Sequence, residues 1–167
     1  TALDMNVWAN PGQRQEMILP APNGLHEITE LFGDISAPNY ERDHIAVFDL
    51  PYPLFYDGRQ VHRSRGHVLA TDNFIQALME IEHEGLSSHV KNYGGIYANR
   101  PQRAHPRFPS THCWGIAIDI EPSKYPLGSL DRLPDAVVAI FKRAGFTYGG
   151  DFIHRKDPMH FQLCTGY

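Results

Sequence analysis

Ser110-Thr-His-Cys-Trp-Gly-Ile-Ala-Ile-Asp119 is the stretch around which the rest of the chain is organised. It offers an imidazole at His112 and a carboxylate at Asp119. Its counterpart is Asp157-Pro-Met-His160, which offers a second imidazole just after another carboxylate. Two histidines and one aspartate are a fitting set of three protein ligands for zinc, with a fourth position left for water. A further acidic group beside that water can act as general base. From Trp114 to Ile120 large apolar residues alternate with small ones. Trp114, Ile116, Ile118 and Ile120 point one way; Gly115, Ala117 and Asp119 point the other. A period of two predicts a half-buried strand, and its small-residue face lets a ligand or another chain come close. His112 has the opposite parity to Asp119. For both to reach one ion, His112 must sit in the loop before the strand, or Gly115 must allow a bulge.

A chain of 167 residues fits a single domain with a real core. A hydrophobic content of 42% with 20% charged residues is ordinary for a soluble globular protein. The formal net charge of -4 argues against a nucleic-acid or anionic-membrane binder. No apolar run approaches transmembrane length and no signal peptide is read. Cys113 and Cys164 are expected to be buried free thiols, with a disulfide as the alternative if their strands are neighbours.

Taken in order, residues 1–43 are rich in Pro, Gly and Asn and read as an arm or linker packed on the domain formed by residues 44–167. Within the arm, Leu25, Ile28, Leu31 and Phe32 have helical spacing and Gly33 is a stop. Ile45 to Phe48 reads as a strand broken by Pro51 and Pro53, and Tyr56-Asp-Gly-Arg59 as a hairpin turn. Thr71 to Glu84 reads as a helix capped by Thr71, with Phe74, Leu78 and Ile81 as its apolar stripe. Tyr93 to Tyr97 reads as a short strand. A second helix is expected from Pro134 to Ala144, then strands at Phe146–Tyr148 and His160–Cys164, the last with His160, Gln162 and Cys164 on one face. Helices and strands without regular alternation indicate an α+β fold with an antiparallel sheet. His62, His67, His105 and His154 read as surface residues.

Ser110-x-His112-x-x-Gly115-x-Ala117-x-Asp119 followed by Asp157-x-x-His160 resembles the zinc peptidases that include D-Ala-D-Ala carboxypeptidases and L-alanyl-D-glutamate endolysins. Gly94-Gly-Ile-Tyr97-x-x-Arg100 and Ala144-Gly-Phe-x-x-Gly-Gly-Asp151 resemble family segments ahead of each ligand, so the likeness runs over about residues 60–164. The resemblance implies a hedgehog/D-Ala-D-Ala-peptidase-like fold: a small antiparallel sheet with helices on one face and a metal groove across it. It implies zinc on His112, Asp119 and His160, Asp157 as general base, and an arginine steadying the carbonyl oxygen, Arg100 by position with Arg103 as runner-up. Ser110 and Tyr97 fall in the matching segments as substrate-binding or supporting residues, and Asp151 is expected to orient a ligand histidine. Tyr148, Phe152, Cys113 and Glu121 depart from the family pattern and bear on the groove walls.

The implied activity is hydrolysis of peptidoglycan stem peptides by a monomer acting on the cell wall, secreted or phage-encoded. The catalytic motif does not separate an L-alanyl-D-glutamate endopeptidase from a D,D-carboxypeptidase; the short chain resembles the endopeptidase branch more. Two alternatives stand beside it: a zinc-bearing binding domain without turnover, as in the hedgehog signalling domain, and a metal-free hydrolase using Cys113 or Cys164.

Overall fold

The computed structural model describes residues 20–167; residues 1–19 of the segment read as an arm lie outside the described residues. Helix α1 (Gly24–Phe32) buries Ile28 and Phe32 and stops at Gly33, whose φ is 91°. Helix α2 (Tyr40–His44) follows, and the Tyr40 hydroxyl donates to the Phe32 carbonyl at 2.8 Å. Strands β1 (Ile45–Tyr56) and β2 (Arg59–His67) form an antiparallel hairpin. Its turn residues Asp57 and Gly58 both take positive φ, as an Asp-Gly hairpin turn requires. The expected break at Pro51 and Pro53 does not occur. The strand continues through them, and the register slips between Asp49 and Leu54 instead. Proline has no N–H for the ladder, so it is tolerated at such an irregularity.

Helix α3 (Thr71–His83) lies against β1 and against α4 (Asp135–Arg143). Thr71 is not the cap: Ala70 holds that position with no side-chain hydrogen bond, and the Thr71 hydroxyl reaches back to the Val68 carbonyl at 3.5 Å. A second sheet contains β3 (Ala117–Asp119), β4 (Thr147–Tyr148) and β5 (His160–Gln162), antiparallel in the order β3-β5-β4. The fold is thus α+β with two small antiparallel sheets. The expected strand at Tyr93–Tyr97 forms only a single bridge, Tyr93 to Ile120, after Asn92 has bridged to Phe55. The segment stitches the two sheets together, and Gly95 at φ 92° turns it away before a ladder can extend.

The predicted strand from Trp114 is also shorter than its periodicity suggests, and it is not half-buried: every residue from Ser110 to Ile120 is buried. Ile118 pairs with Phe161 in the register. Phe161 stacks between Phe141 (4.2 Å between ring centroids) and Tyr148 (4.7 Å), so one face of β5 is fixed in the core. Burying a side chain of this size contributes about 1.5–3 kcal/mol. By strand parity, Ala117, Asp119, His160 and Gln162 lie on the other face. His67, read as a surface residue, is 1% exposed. Its Nε2 lies 2.8 Å from the Phe32 carbonyl and its Nδ1 accepts from the Leu69 amide, while burial lowers its pKa to about 4. Cys113 and Cys164 are both free and buried.

Gly115 joins the hairpin to the site. Its φ is 70° and its carbonyl accepts the His67 amide at 2.8 Å. A Cβ there would lie 2.6 Å from the His67 nitrogen. Gly115→Ala is therefore expected to cost about 3 kcal/mol, combining a left-handed backbone penalty with overpacking, read as a lower midpoint in urea unfolding.

Candidate metal centre

His112 reaches the site from a short 3-10 turn, Thr111–Trp114, that precedes β3. Of the two geometric solutions open to the sequence, the loop before the strand is the one used. The Ser110 hydroxyl caps this turn by accepting the His112 amide at 3.3 Å, and Gly115 ends it. Asp119 closes β3 and His160 opens β5, and the register sets them directly opposite each other.

The three side chains converge. His112 Nε2 lies 3.2 Å from Asp119 Oδ1, and His160 Nδ1 lies 2.9 Å from the same oxygen. One donor atom from each lies within 4.8 Å of the other two, and all three residues are buried. The Ile96 carbonyl accepts from His112 Nδ1 at 2.7 Å. A neutral ring whose Nδ1 donates presents a bare lone pair at Nε2. That Nε2 has no hydrogen-bond partner, yet it faces a carboxylate. Two acceptors pointed at each other in a buried space fit a cation between them. The residues present therefore suit a divalent metal.

Electrostatics agree with that donor set. Burial alone would raise the Asp119 pKa, but the neighbouring His112 and His160 hold it well below the usual carboxylate range. For His160 burial opposes protonation, and the Asp119 hydrogen bond and charge reverse this to raise its pKa. Arg100 Nη2 stands 3.5 Å from Asp119 Oδ2.

Asp157 belongs to the loop that delivers His160. Its amide donates to the Gly149 carbonyl at 2.9 Å, and its carbonyl accepts the His160 amide at 3.0 Å. The Tyr148 hydroxyl supports the loop from below by donating to the Pro158 carbonyl at 2.8 Å. Asp157 Oδ1 is buried and has no partner. Burial raises its pKa; His160 and Arg103 pull it back, while Asp119 pushes it further up. Asp157, His160, Arg100, Arg103, Ser110 and Gln162 line one groove of about 480 Å³.

Other sequence-read residues lie elsewhere or act differently. Asp151 does not reach a ligand histidine; its carboxylate is paired with Arg132 at 2.9 Å and Lys142 at 2.6 Å. The Tyr97 hydroxyl is turned away to Glu41 at 3.3 Å. Glu121 is not a groove wall: its carboxylate accepts the Lys91 and Asn92 amides at 2.8 Å each. Sequence reasoning missed Thr111 and Gln162 as neighbours of His160, although strand parity had already placed Gln162 on its face. It also missed Gly149, where a Cβ would lie 2.4 Å from the Asp157 carbonyl oxygen.

Residues 103–163 match the D-alanyl-D-alanine carboxypeptidase family model. The resemblance to this zinc peptidase family, read from Ser110–Asp119 and Asp157–His160, is borne out over that span. Arg100, Tyr97 and the Gly94–Arg100 segment precede the matched residues. No curated protein and no solved structure matches the chain.

Proposed function

We propose that the protein is a zinc metallopeptidase that hydrolyses a peptide bond in peptidoglycan stem peptides, as an L-alanyl-D-glutamate endopeptidase or a D-alanyl-D-alanine carboxypeptidase. The observation that carries this is the convergence of His112, Asp119 and His160, the last of which lines one groove with Asp157, whose Oδ1 is unpartnered, within the stretch that matches the carboxypeptidase family. Zinc bound by those three side chains would lower the pKa of a bound water towards neutrality and polarise the scissile carbonyl. Asp157 is assigned the proton: Oδ1 accepts it from the attacking water and passes it to the leaving amine. Arg100, with Arg103 as the alternative, is assigned to the negative charge that develops on the carbonyl oxygen. Ser110 positions His112 by capping its turn. The fold is proposed to be of the hedgehog/D-Ala-D-Ala-peptidase type, with residues 44–167 as the catalytic domain of a monomer that works on the cell wall. Among the described residues no helix is long and apolar enough to cross a membrane.

A zinc-containing binding domain without turnover has less support, because it gives no use to the buried, unpartnered oxygen of Asp157. A cysteine hydrolase has less still: burial pushes the Cys164 thiol up to about 12, and Cys113 Sγ donates to the Arg100 carbonyl at 3.0 Å. Metal analysis of the purified protein, paired with mass spectrometry of digested muropeptides, tests the proposal. Stoichiometric zinc is expected, with cleavage lost to a chelator, restored by zinc and indifferent to thiol alkylation. Cleavage that survives chelation but not alkylation would transfer the activity to a cysteine; zinc without any cleavage would favour the binding domain.

A further inference from the structure

The two imidazoles of the site are each held from behind, by different devices. For His112 the device is direct: the Ile96 carbonyl fixes Nδ1 as the donor. For His160 it is one residue longer. The Gln162 side-chain nitrogen donates to the Tyr167 main-chain carbonyl at 3.2 Å. A carbonyl only accepts, so this contact decides which end of the amide is nitrogen. Gln162 Oε1 is then the atom that faces His160 Nε2 at 2.9 Å, and it also accepts from the Thr111 hydroxyl at 3.3 Å. An amide oxygen facing Nε2 requires Nε2 to carry its proton. Nδ1, which faces Asp119 Oδ1, is then the nitrogen at which a metal would replace the proton. Gln162 is 3% exposed and Thr111 4%, so solvent does not compete for these bonds. Ala117 stands opposite Gln162 in the register, and its small side chain leaves room for the amide.

We propose that Gln162, oriented by the Tyr167 carbonyl and by Thr111, is a positioning residue that keeps the proton on His160 Nε2 and so commits Nδ1 to the metal. This rests on the metal-site reading above. It concerns which nitrogen binds and how tightly. A residue that merely fills space would be replaceable by leucine of similar size; a hydrogen-bond acceptor would not. Supporting partners of ligand histidines typically account for about 10–100-fold in metal affinity.

The test compares wild-type protein with Gln162→Leu and Gln162→Glu, using zinc affinity by chelator competition and long-range 1H–15N spectra of the zinc-loaded imidazoles. In the wild type, His160 is expected to bind through Nδ1 and to show a hydrogen-bonded Nε2–H. Gln162→Leu should lose that hydrogen-bonded signal and bind zinc about 10–100-fold more weakly. Gln162→Glu keeps an acceptor and should restore the signal and most of the affinity. Coordination through Nε2 in the wild type, or a leucine variant with unchanged affinity and an unchanged Nε2–H resonance, overturns the role of Gln162 and leaves the metal site standing. Wild-type protein that takes up no zinc sinks the site itself, and this proposal with it.

Discussion

Replacing Asp157 by asparagine is expected to leave zinc bound and to lower turnover of muropeptides by about 10²–10⁴-fold. The prediction depends on a separation visible in the structure. Asp157 is held by its backbone, through Gly149 and the His160 amide, and not through its carboxylate. Exchanging one carboxylate oxygen for an amide therefore leaves the loop and its ligand histidine in place, while Oδ1, the oxygen without a partner, loses its basicity. The sign of the pH dependence follows from the raised pKa of Asp157, caused first by burial. A base with a raised pKa is protonated over a wider acidic range. Activity should therefore fall as pH drops through the raised pKa of Asp157, and the residual activity of the asparagine variant should lack that acidic limb. A bound cation would pull the limb to lower pH without removing it. Undiminished turnover in the variant would strip Asp157 of its role; loss of zinc would instead make it part of the metal centre.

Much of this site can be read from residue parity, and the parts that cannot share a cause. Asp119 and His160 announce themselves because each sits on a strand, and a strand fixes the face of every second residue. His112 breaks that rule by one position. The sequence states the conflict, and only the 3-10 turn between Ser110 and Gly115 resolves it. The same parity puts Gln162 beside His160, but nothing local tells that its amide is oriented by the Tyr167 carbonyl. The Ile96 carbonyl that orients His112 is main chain, so no residue type signals it.

The fold departs from expectation for similar reasons. Pro51 and Pro53 look like strand breakers until the register slip between Asp49 and Leu54 absorbs them. The two glycines after Tyr93 permit a strand, but the chain there serves as a bridge between two sheets. His67 is preceded by the polar run Arg63-Ser-Arg65 and reads as a surface histidine; two of its partners, Phe32 and Gly115, come from distant segments. Local pattern records which side chains share a face and is silent on which distant carbonyl they meet.

Asp119→Asn is expected to abolish stoichiometric zinc binding and, with it, cleavage, beyond the about 10–100-fold typical of losing a supporting partner. Asparagine keeps the volume but removes the one negative charge that faces His112, His160 and Arg100 together. In the metal-free protein His160 and Arg100 would then lose their shared carboxylate, and breaking a buried ion pair by removing one partner costs about 3–5 kcal/mol. The linkage has a definite sign. Asp119 has a folded-state pKa far below its unfolded value, because the His112 and His160 interactions outweigh burial. Its contribution to stability is therefore present above the ordinary carboxylate pKa and is lost as pH falls through the depressed folded value. Metal-free wild-type protein should lose melting temperature across that acidic window, and Asp119→Asn should start lower and change less there. Added zinc should raise the wild-type melting temperature at neutral pH, since a ligand that binds only the folded state stabilises it, and should leave the variant unmoved. A variant whose melting temperature still rises with zinc as the wild type's does would show that the ion is held without Asp119.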